Sequence, residues 1–233
     1  LALYAIGDLH LSLGTDKPMD VFGGPWENYI EKIKDGFLKL KDEDTIIICG
    51  DTSWAMNIKE ALNDFKFIES FRGRKILLKG NHDYWWEGVG KMKRILSENN
   101  LRSIDFLHNN FFIYENFAIC GTRGWFCEEE CGSEHDAKII RRECMRLESS
   151  LKDVGNIEKL CFLHYPPKTK TYECCEIIEV MQKHDVRYCA YGHLHGKGIN
   201  TAFIGDYAGI YFELISADYL NFSPKLIAPP QYA

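Results

Sequence analysis

A set of imidazoles, carboxylates and one carboxamide recurs in short, mostly glycine-bearing segments: Gly7-Asp8-Leu9-His10, Gly50-Asp51, Gly80-Asn81-His82-Asp83, His164 and Gly192-His193-Leu194-His195. Five of the eight histidines fall in these segments (His10, His82, His164, His193 and His195), and only His108, His135 and His184 stand elsewhere. Thiolates are absent from the set. Imidazole and carboxylate together suit Mn, Fe, Zn or Co rather than Ca alone. Asp8, His10, Asp51, Asn81, His164, His193 and His195 are too many ligands for one ion, and they divide over two if one carboxylate bridges. Two ions roughly 3.5–4 Å apart can share a hydroxide and clamp the attacking and leaving oxygens of a phosphoryl group.

Each of these residues has a plainer reading when taken alone. Asp8 or Asp51 can cap a helix, Asn81 suits a turn, and a single histidine at a strand end is ordinarily a hydrogen-bonded rim residue. Turn chemistry does not require five histidines at such exits. The case for a metal site is a joint one.

The elements that must position these groups lie just before them. LALYAI (1–6), TIIIC (45–49), KILL (75–78), FAIC (117–120), KLCFL (159–163) and RYCAY (187–191) read as strands too continuously apolar to have a wet face. The polar segments therefore stand at C-terminal strand ends, where open α/β sheets place their ligands. Between the strands run helical stripes: Ile30, Ile33, Phe37 and Leu40; Ile58, Leu62, Phe65 and Ile68; Ile140, Cys144, Leu147 and Leu151. Val89, Met92 and Ile95 mark a shorter helix. The alternation predicts an α/β fold. GIYFEL (209–214) reads as a strand with no helix after it, which suits an antiparallel tail. No repeat, low-complexity tract or Pro/Gly-rich linker interrupts residues 1–233, so a single domain is expected.

Composition narrows the partners. A net charge of −6, with basic residues scattered among acids, argues against extended nucleic acid and against an anionic membrane surface. It is compatible with a small phosphorylated substrate, since bound metal supplies local positive charge. The nine cysteines are odd in number and several sit in apolar runs, as expected of reduced thiols in the cytoplasm. Leu1–Ile6 is too short for a signal-peptide core, and no apolar run reaches membrane length. A soluble cytoplasmic protein is the expectation.

Taken in order from Asp8 to His195, the pattern D-x-H, G-D, G-N-H-D, H and G-H-x-H resembles the calcineurin-like metallophosphoesterase superfamily. The resemblance implies a four-layer αββα sandwich with its metal site at the C-terminal ends of the strands. It assigns Asp8, His10, Asp51 and His195 to one metal and Asp51, Asn81, His164 and His193 to the other, with Asp51 bridging. The ions implied are divalent or mixed-valence Mn, Fe or Zn. His82 is implied to contact the phosphate and protonate the leaving oxygen, which suits a histidine near its ordinary pKa. The expected activity is hydrolysis of a small phosphomonoester or phosphodiester by metal-bound hydroxide. A metal-dependent nuclease and a non-catalytic scaffold on the same fold are the alternatives. Asp83 is read either as support for His82 and its loop or as a cap for the next turn.

The pattern departs from the family in one place. Many members carry Asp or Arg three residues after the bridging aspartate, where this chain has Trp54. A replacement phosphate ligand is Arg123 in GTRGW or, failing that, Lys79; the plain alternative for Arg123 is a solvated surface residue. Trp54, Trp85, Trp86 and Trp125 follow motif segments and either wall a pocket or pack beneath the loops. Cys127, Cys131 and His135 have metal-like spacing without a fourth ligand, and Glu128–Glu130 reads as a solvated loop. Cys174 and Cys175 are expected within a helix.

Overall fold

Ile46 and Ile48 belong to one apolar cluster, Ile47 and Cys49 to another, and all four are fully buried. Side chains alternate across a strand, so this strand is covered on both faces. A computed structural model describes residues 1–125 and 134–227 of the chain. Its first sheet sets β1 (Leu3–Ile6), β2 (Thr45–Cys49), β3 (Arg74–Leu78) and β4 (Ile104–Leu107) side by side, all parallel. The second sheet runs β5 (Phe112–Tyr114), β6 (Phe117–Thr122), β7 (Glu158–Leu163) and β8 (Tyr188–Tyr191), then β10 (Ile210–Leu214) with β9 (Gly205–Tyr207) at its edge. A last short strand, β11 (Lys225–Leu226), pairs antiparallel with β1.

Three apolar interfaces separate four layers. Helices α1 (Tyr29–Phe37), α2 (Leu62–Glu69) and α3 (Val89–Glu98) place Ile33, Phe37, Phe65 and Met92 in the cluster that holds Ile46, Ile48 and Leu77. The two sheets face each other through Ile47, Cys49, Ile76 and Leu78 on one side and Ile119, Leu160, Phe162 and Ala190 on the other. Beyond the second sheet, α4 (Glu134–Leu151) and α5 (Cys175–Lys183) cover Cys120, Cys161, Leu163 and Cys189 with Leu147, Leu151, Ile177 and Met181. The expected αββα sandwich is the fold.

The differences from expectation concern edges and ends. The strand 210–214 is parallel to β8, with Phe212 opposite Cys189, and not antiparallel. The chain reverses in β9 before it, so the antiparallel members at this end are β9 and β11. Strands β4, β5, β9 and β11 escape the sequence reading because edge strands are short and half-wet. In β4 the apolar run is broken by Asp105, which pairs with Arg74 at 2.7 Å and Lys93 at 3.4 Å. Ile58 is buried ahead of α2 rather than within it, and Cys174 is the residue that caps α5, which begins at Cys175. Seven described cysteines are free thiols. Cys127, Cys131 and Glu128–Glu130 lie outside the described residues, while His135 is in the first turn of α4.

Candidate metal centre

Each polar segment leaves a parallel strand at its C-terminal end, and four of its residues do so in a strained backbone. Asp8 (φ 62°), His10 (φ 46°), Asp51 (φ 48°) and His193 (φ 72°) all adopt the left-handed region. For non-glycine residues that conformation costs on the order of 1–3 kcal/mol each and persists where the surroundings over-determine it. Here the surroundings are the neighbouring exits. Asp8 N–H donates to the Gly50 carbonyl (2.9 Å), His10 N–H to that of Asp51 (2.8 Å), and His193 N–H to the Asp8 carboxylate (2.9 Å). Glycine is required where these loops touch. A Cβ on Gly192 would sit 2.5 Å from Asp8 Oδ2, and one on Gly80 would collide with the Asp51 carboxylate.

The side chains so placed form two abutting groups around one carboxylate oxygen. Asp51 Oδ2 lies 3.8 Å from His10 Nε2 and 3.6 Å from His164 Nε2. On the first side, His195 Nε2 is 3.4 Å from Asp8 Oδ1, and Asp8, His10 and His195 offer ligand atoms close enough for one ion. On the second side, Asp8, Asp51 and His164 do the same, and Asn81 Oδ1 approaches His164 Nε2 at 2.5 Å and His193 Nδ1 at 3.1 Å. All seven expected ligands therefore converge. His82 stands beside them; its N–H donates to Asp51 Oδ1 (2.8 Å) and its ring lies 5.8 Å from that of His10.

Electrostatics and unpaired atoms fit a cation here. Asp8 and Asp51 are both buried, and the ion-pair contacts they make come from histidines. Burial, then Asp8, pushes the Asp51 carboxyl up to about 8, the mark of a carboxylate short of positive charge. Burial also raises Asp8, but His195, His164 and His10 outweigh it and hold Asp8 below the usual carboxylate range. Burial and neighbouring imidazoles lower His10, His82 and His193, the last to about 3, and burial lowers His164. Neutral imidazoles are the form that ligates metal. Burial would lower His195 too, but Asp8 and Asp218 push it up to about 10. His10 Nδ1 is buried without a hydrogen-bond partner, a costly state, and His195 Nε2 has the Asp8 carboxylate at 3.4 Å, a contact that a cation between the two would replace.

Orientation of the rings comes from groups behind them. His164 Nδ1 faces the Cys49 carbonyl at 3.1 Å, which turns its Nε2 toward Asn81 and Asp51. His195 Nδ1 meets Asp218 Oδ1 at 3.0 Å, and Gly196 N–H donates to Asp218 Oδ2 at 2.9 Å. Asp218 was not among the expected residues. Its signal was available, since it follows β10 in Ile215-Ser216-Ala217-Asp218 just as the others follow their strands. Trp26 also escaped notice; its indole lies edge-on to His10 (5.8 Å) and His195 (5.6 Å) in a segment with no recognisable motif.

The tryptophans expected near the motifs divide between the two readings. Trp85 is fully buried in the core, with its N–H donated to Asp83 at 2.8 Å. Trp54 stacks on His10 (centroids 4.8 Å, planes 24°) and packs against His82 at 4.5 Å. Arg123 is not among the residues that line the pocket with Trp54 and His82. Its guanidinium is 3.5 Å from the buried Glu143 and over the rings of Trp125 and Tyr165, and with Lys79 and Arg146 it lines a separate cavity of about 230 Å³. Asp83 is buried and binds backbone N–H groups, among them Gly80 at 2.7 Å and Thr52 at 2.8 Å.

The family model described as calcineurin-like phosphoesterase matches residues 1–197. Among solved structures, a phosphopantetheinyl hydrolase from Mycobacterium tuberculosis is similar, with a TM-score of 0.59 at 16% identity over 100% of this chain and 98% of that one. A protein from Thermus thermophilus gives a TM-score of 0.55 at 14% identity, covering 97% of each chain. A protein of unknown function from Aquifex aeolicus gives 0.51 at 20% identity, over 97% of this chain and 95% of the other. At these identities the structural likeness speaks for the fold. No curated protein matches the sequence significantly.

Proposed function

The chain belongs to the calcineurin-like phosphoesterase family and is a metal-dependent phosphoesterase, and from that premise we propose that it hydrolyses a small phosphomonoester or phosphodiester at a two-metal centre. The observation that carries the two-metal reading is the position of Asp51 Oδ2, within 3.8 Å of His10 Nε2 and 3.6 Å of His164 Nε2. Asp8, His10, Asp51 and His195 hold one ion, and Asp51, Asn81, His164 and His193 hold the other; Mn, Fe or Zn suits these donors. When bound, the ions supply positive charge to the phosphoryl oxygens and make water acidic enough to attack. Asp218 and the Cys49 carbonyl fix the rings of His195 and His164 for this task.

His82 supplies the proton. Its backbone is tied to Asp51 and its ring is held against Trp54, beside the centre and outside both ligand groups. As a water that has given up one proton to solvent bonds through oxygen to phosphorus, the ester P–O bond breaks and its electron pair stays with the leaving oxygen, which takes a proton from the His82 imidazolium. The products are an alcohol and phosphate from a monoester, or an alcohol and a phosphomonoester from a diester, and His82 is reprotonated from solvent. Burial, then His164, lowers the His82 pKa from the ordinary value expected of it, so its protonated form is a stronger acid but a smaller fraction at neutral pH.

Residues 1–233 act as one catalytic domain in this proposal, because β10 and β11, beyond the matched segment, complete the two sheets and Asp218 follows β10. Cytoplasmic placement rests on the free thiols; no described helix is long and apolar enough to cross a membrane. Reconstitution with excess Mn should give two equivalents per chain by elemental analysis and turnover of 4-nitrophenyl phosphate or its bis-ester. Asp51→Asn should weaken both equivalents. A single equivalent that Asp51→Asn leaves untouched would overturn the two-metal reading.

A further inference from the structure

Beside His82 the centre opens into a cavity of about 420 Å³. Its walls are Met19, Phe22, Pro25, Trp26 and Trp54, and His10, His82 and His195 stand at its inner end. The two indoles are fixed against metal-centre rings, Trp54 stacked on His10 and Trp26 edge-on to His10 and His195, so the wall is rigid. Its polar side chains are the three imidazoles and Asp218, whose carboxylate is already engaged by His195 Nδ1 and the Gly196 N–H. The Trp54 N–H faces Met19 Sδ at 3.3 Å, and the nearest cation over the ring, Lys17, is 5.8 Å from its centroid. At the mouth Phe22 is 71% exposed, an aromatic side chain left in water beside an apolar hollow.

We propose that this cavity receives the leaving group of the ester, and that the substrate is a phosphoester of an apolar aryl or long-chain alcohol. The inference rests on the phosphoesterase reading and adds the substrate class to it. The direction follows from His82. A group that protonates the departing oxygen stands on the leaving-group side of phosphorus, and this cavity is one that His82 lines. A polyol or sugar there would bury hydroxyls against indole and thioether without partners, which selects against it.

The test uses propyl, hexyl and 3-phenylpropyl phosphates, and the matching methyl diesters, whose alcohols differ little in acidity. In the metal-loaded protein, kcat/KM should rise about 10- to 100-fold from propyl to 3-phenylpropyl, the range that burying an added apolar group supports. Phe22→Ser, at an exposed position, and Trp54→Ala should each shrink that ratio about 5- to 10-fold. A flat series in the parent, or a ratio that neither variant changes, overturns the proposal while leaving the phosphoesterase reading intact. If no ester is turned over, that reading fails, and the cavity is judged by tryptophan fluorescence. Tighter binding of 3-phenylpropylphosphonate than of propylphosphonate, weakened in Phe22→Ser, then supports it, and equal binding overturns it.

Discussion

Thr52 donates its backbone N–H to the Asp83 carboxylate at 2.8 Å, joining the loop after β2 to the loop after β3. The same Oδ1 accepts from Ser53 N–H at 3.3 Å and from the Trp85 indole at 2.8 Å, while Oδ2 accepts from Gly80 N–H at 2.7 Å. None of these donors is the His82 ring. We therefore propose Asp83 as a positioning residue, which sets Asp51 against Asn81 and His82 by holding the backbones on either side.

Asp83→Asn tests that role. An amide has one accepting atom, and its NH₂ must face either the Gly80 N–H or the Thr52 N–H, donor against donor. A buried unsatisfied donor costs about 1–3 kcal/mol, so the variant should lose up to that much stability and bind metal more weakly. Burial, then Asp51, pushes the Asp83 carboxyl up to about 7, so removing its charge will recover part of the loss. Thermal unfolding and Mn titration read both effects. A variant with unchanged Tm and unchanged Mn affinity removes Asp83 from the scaffold of the centre.

His82→Ala separates chemistry from metal binding. Both metal equivalents should remain, because no expected ligand is lost, while turnover of an alkyl ester falls on the order of 10²–10⁴-fold. With 4-nitrophenolate as leaving group, which hardly needs a proton, the deficit should shrink sharply. Equal deficits for both esters would remove the general-acid role, and loss of a metal equivalent would make His82 a ligand.

Much of this centre was legible because buried parallel strands and motif residues carry strong local signals. TIIIC is apolar without interruption and forms β2 over the expected Thr45–Cys49, and the seven expected ligands stand at strand exits that the fold brings together. What the sequence concealed depends on tertiary neighbours. Asp218 follows a strand as the other exit residues do, but its partner shows only once β10 is seen parallel to β8, which delivers it behind His195. Trp26 sits in a short turn of helix with no periodicity, and only packing against His10 reveals it. Arg123 was expected at the phosphate from its strand-end loop; what the sequence did not show is that its guanidinium also meets Glu143, twenty residues on in a different element.

Lys75 should give the stability an unusual pH dependence. It is fully buried, with its ammonium on the Phe71 carbonyl and 3.1 Å from Ser103 Oγ. Burial, only partly offset by Glu69, holds its pKa down to about 8, against about 10.4 in an unfolded chain. Between those values the unfolded chain binds the extra proton, so raising pH through that window favours the folded state at this site. Relative to Lys75→Met, the parent should gain stability from pH 8 to pH 10. Denaturant unfolding of both proteins across that range checks it; parallel curves would show that Lys75 titrates alike in both states.

Arg123 is the cation proposed to serve the phosphate in the absence of the charged residue that Trp54 displaces, and its surroundings make the test sharper. Its carbonyl accepts from His164 N–H at 3.2 Å and Tyr165 N–H at 2.9 Å, so its backbone braces a ligand loop whatever its side chain does. Its guanidinium is shared with Glu143, which also meets Arg146 at 2.6 Å and Thr122 at 2.6 Å, yet its Nε is buried without a partner. Substitution at Arg123 keeps the backbone brace and leaves Glu143 with two partners, so the metals should stay. A forked, charge-assisted contact made mainly in the transition state is worth a few kcal/mol. Arg123→Ala should therefore lower kcat/KM about 10²-fold at unchanged metal content, with Arg123→Lys recovering only part because a lysine offers one point of charge. Lys79 lines the same cavity and is the competing ligand. Should Arg123→Ala keep the parental rate while Lys79→Ala loses it, the phosphate belongs to Lys79 and the Arg123 side chain serves only to neutralise Glu143.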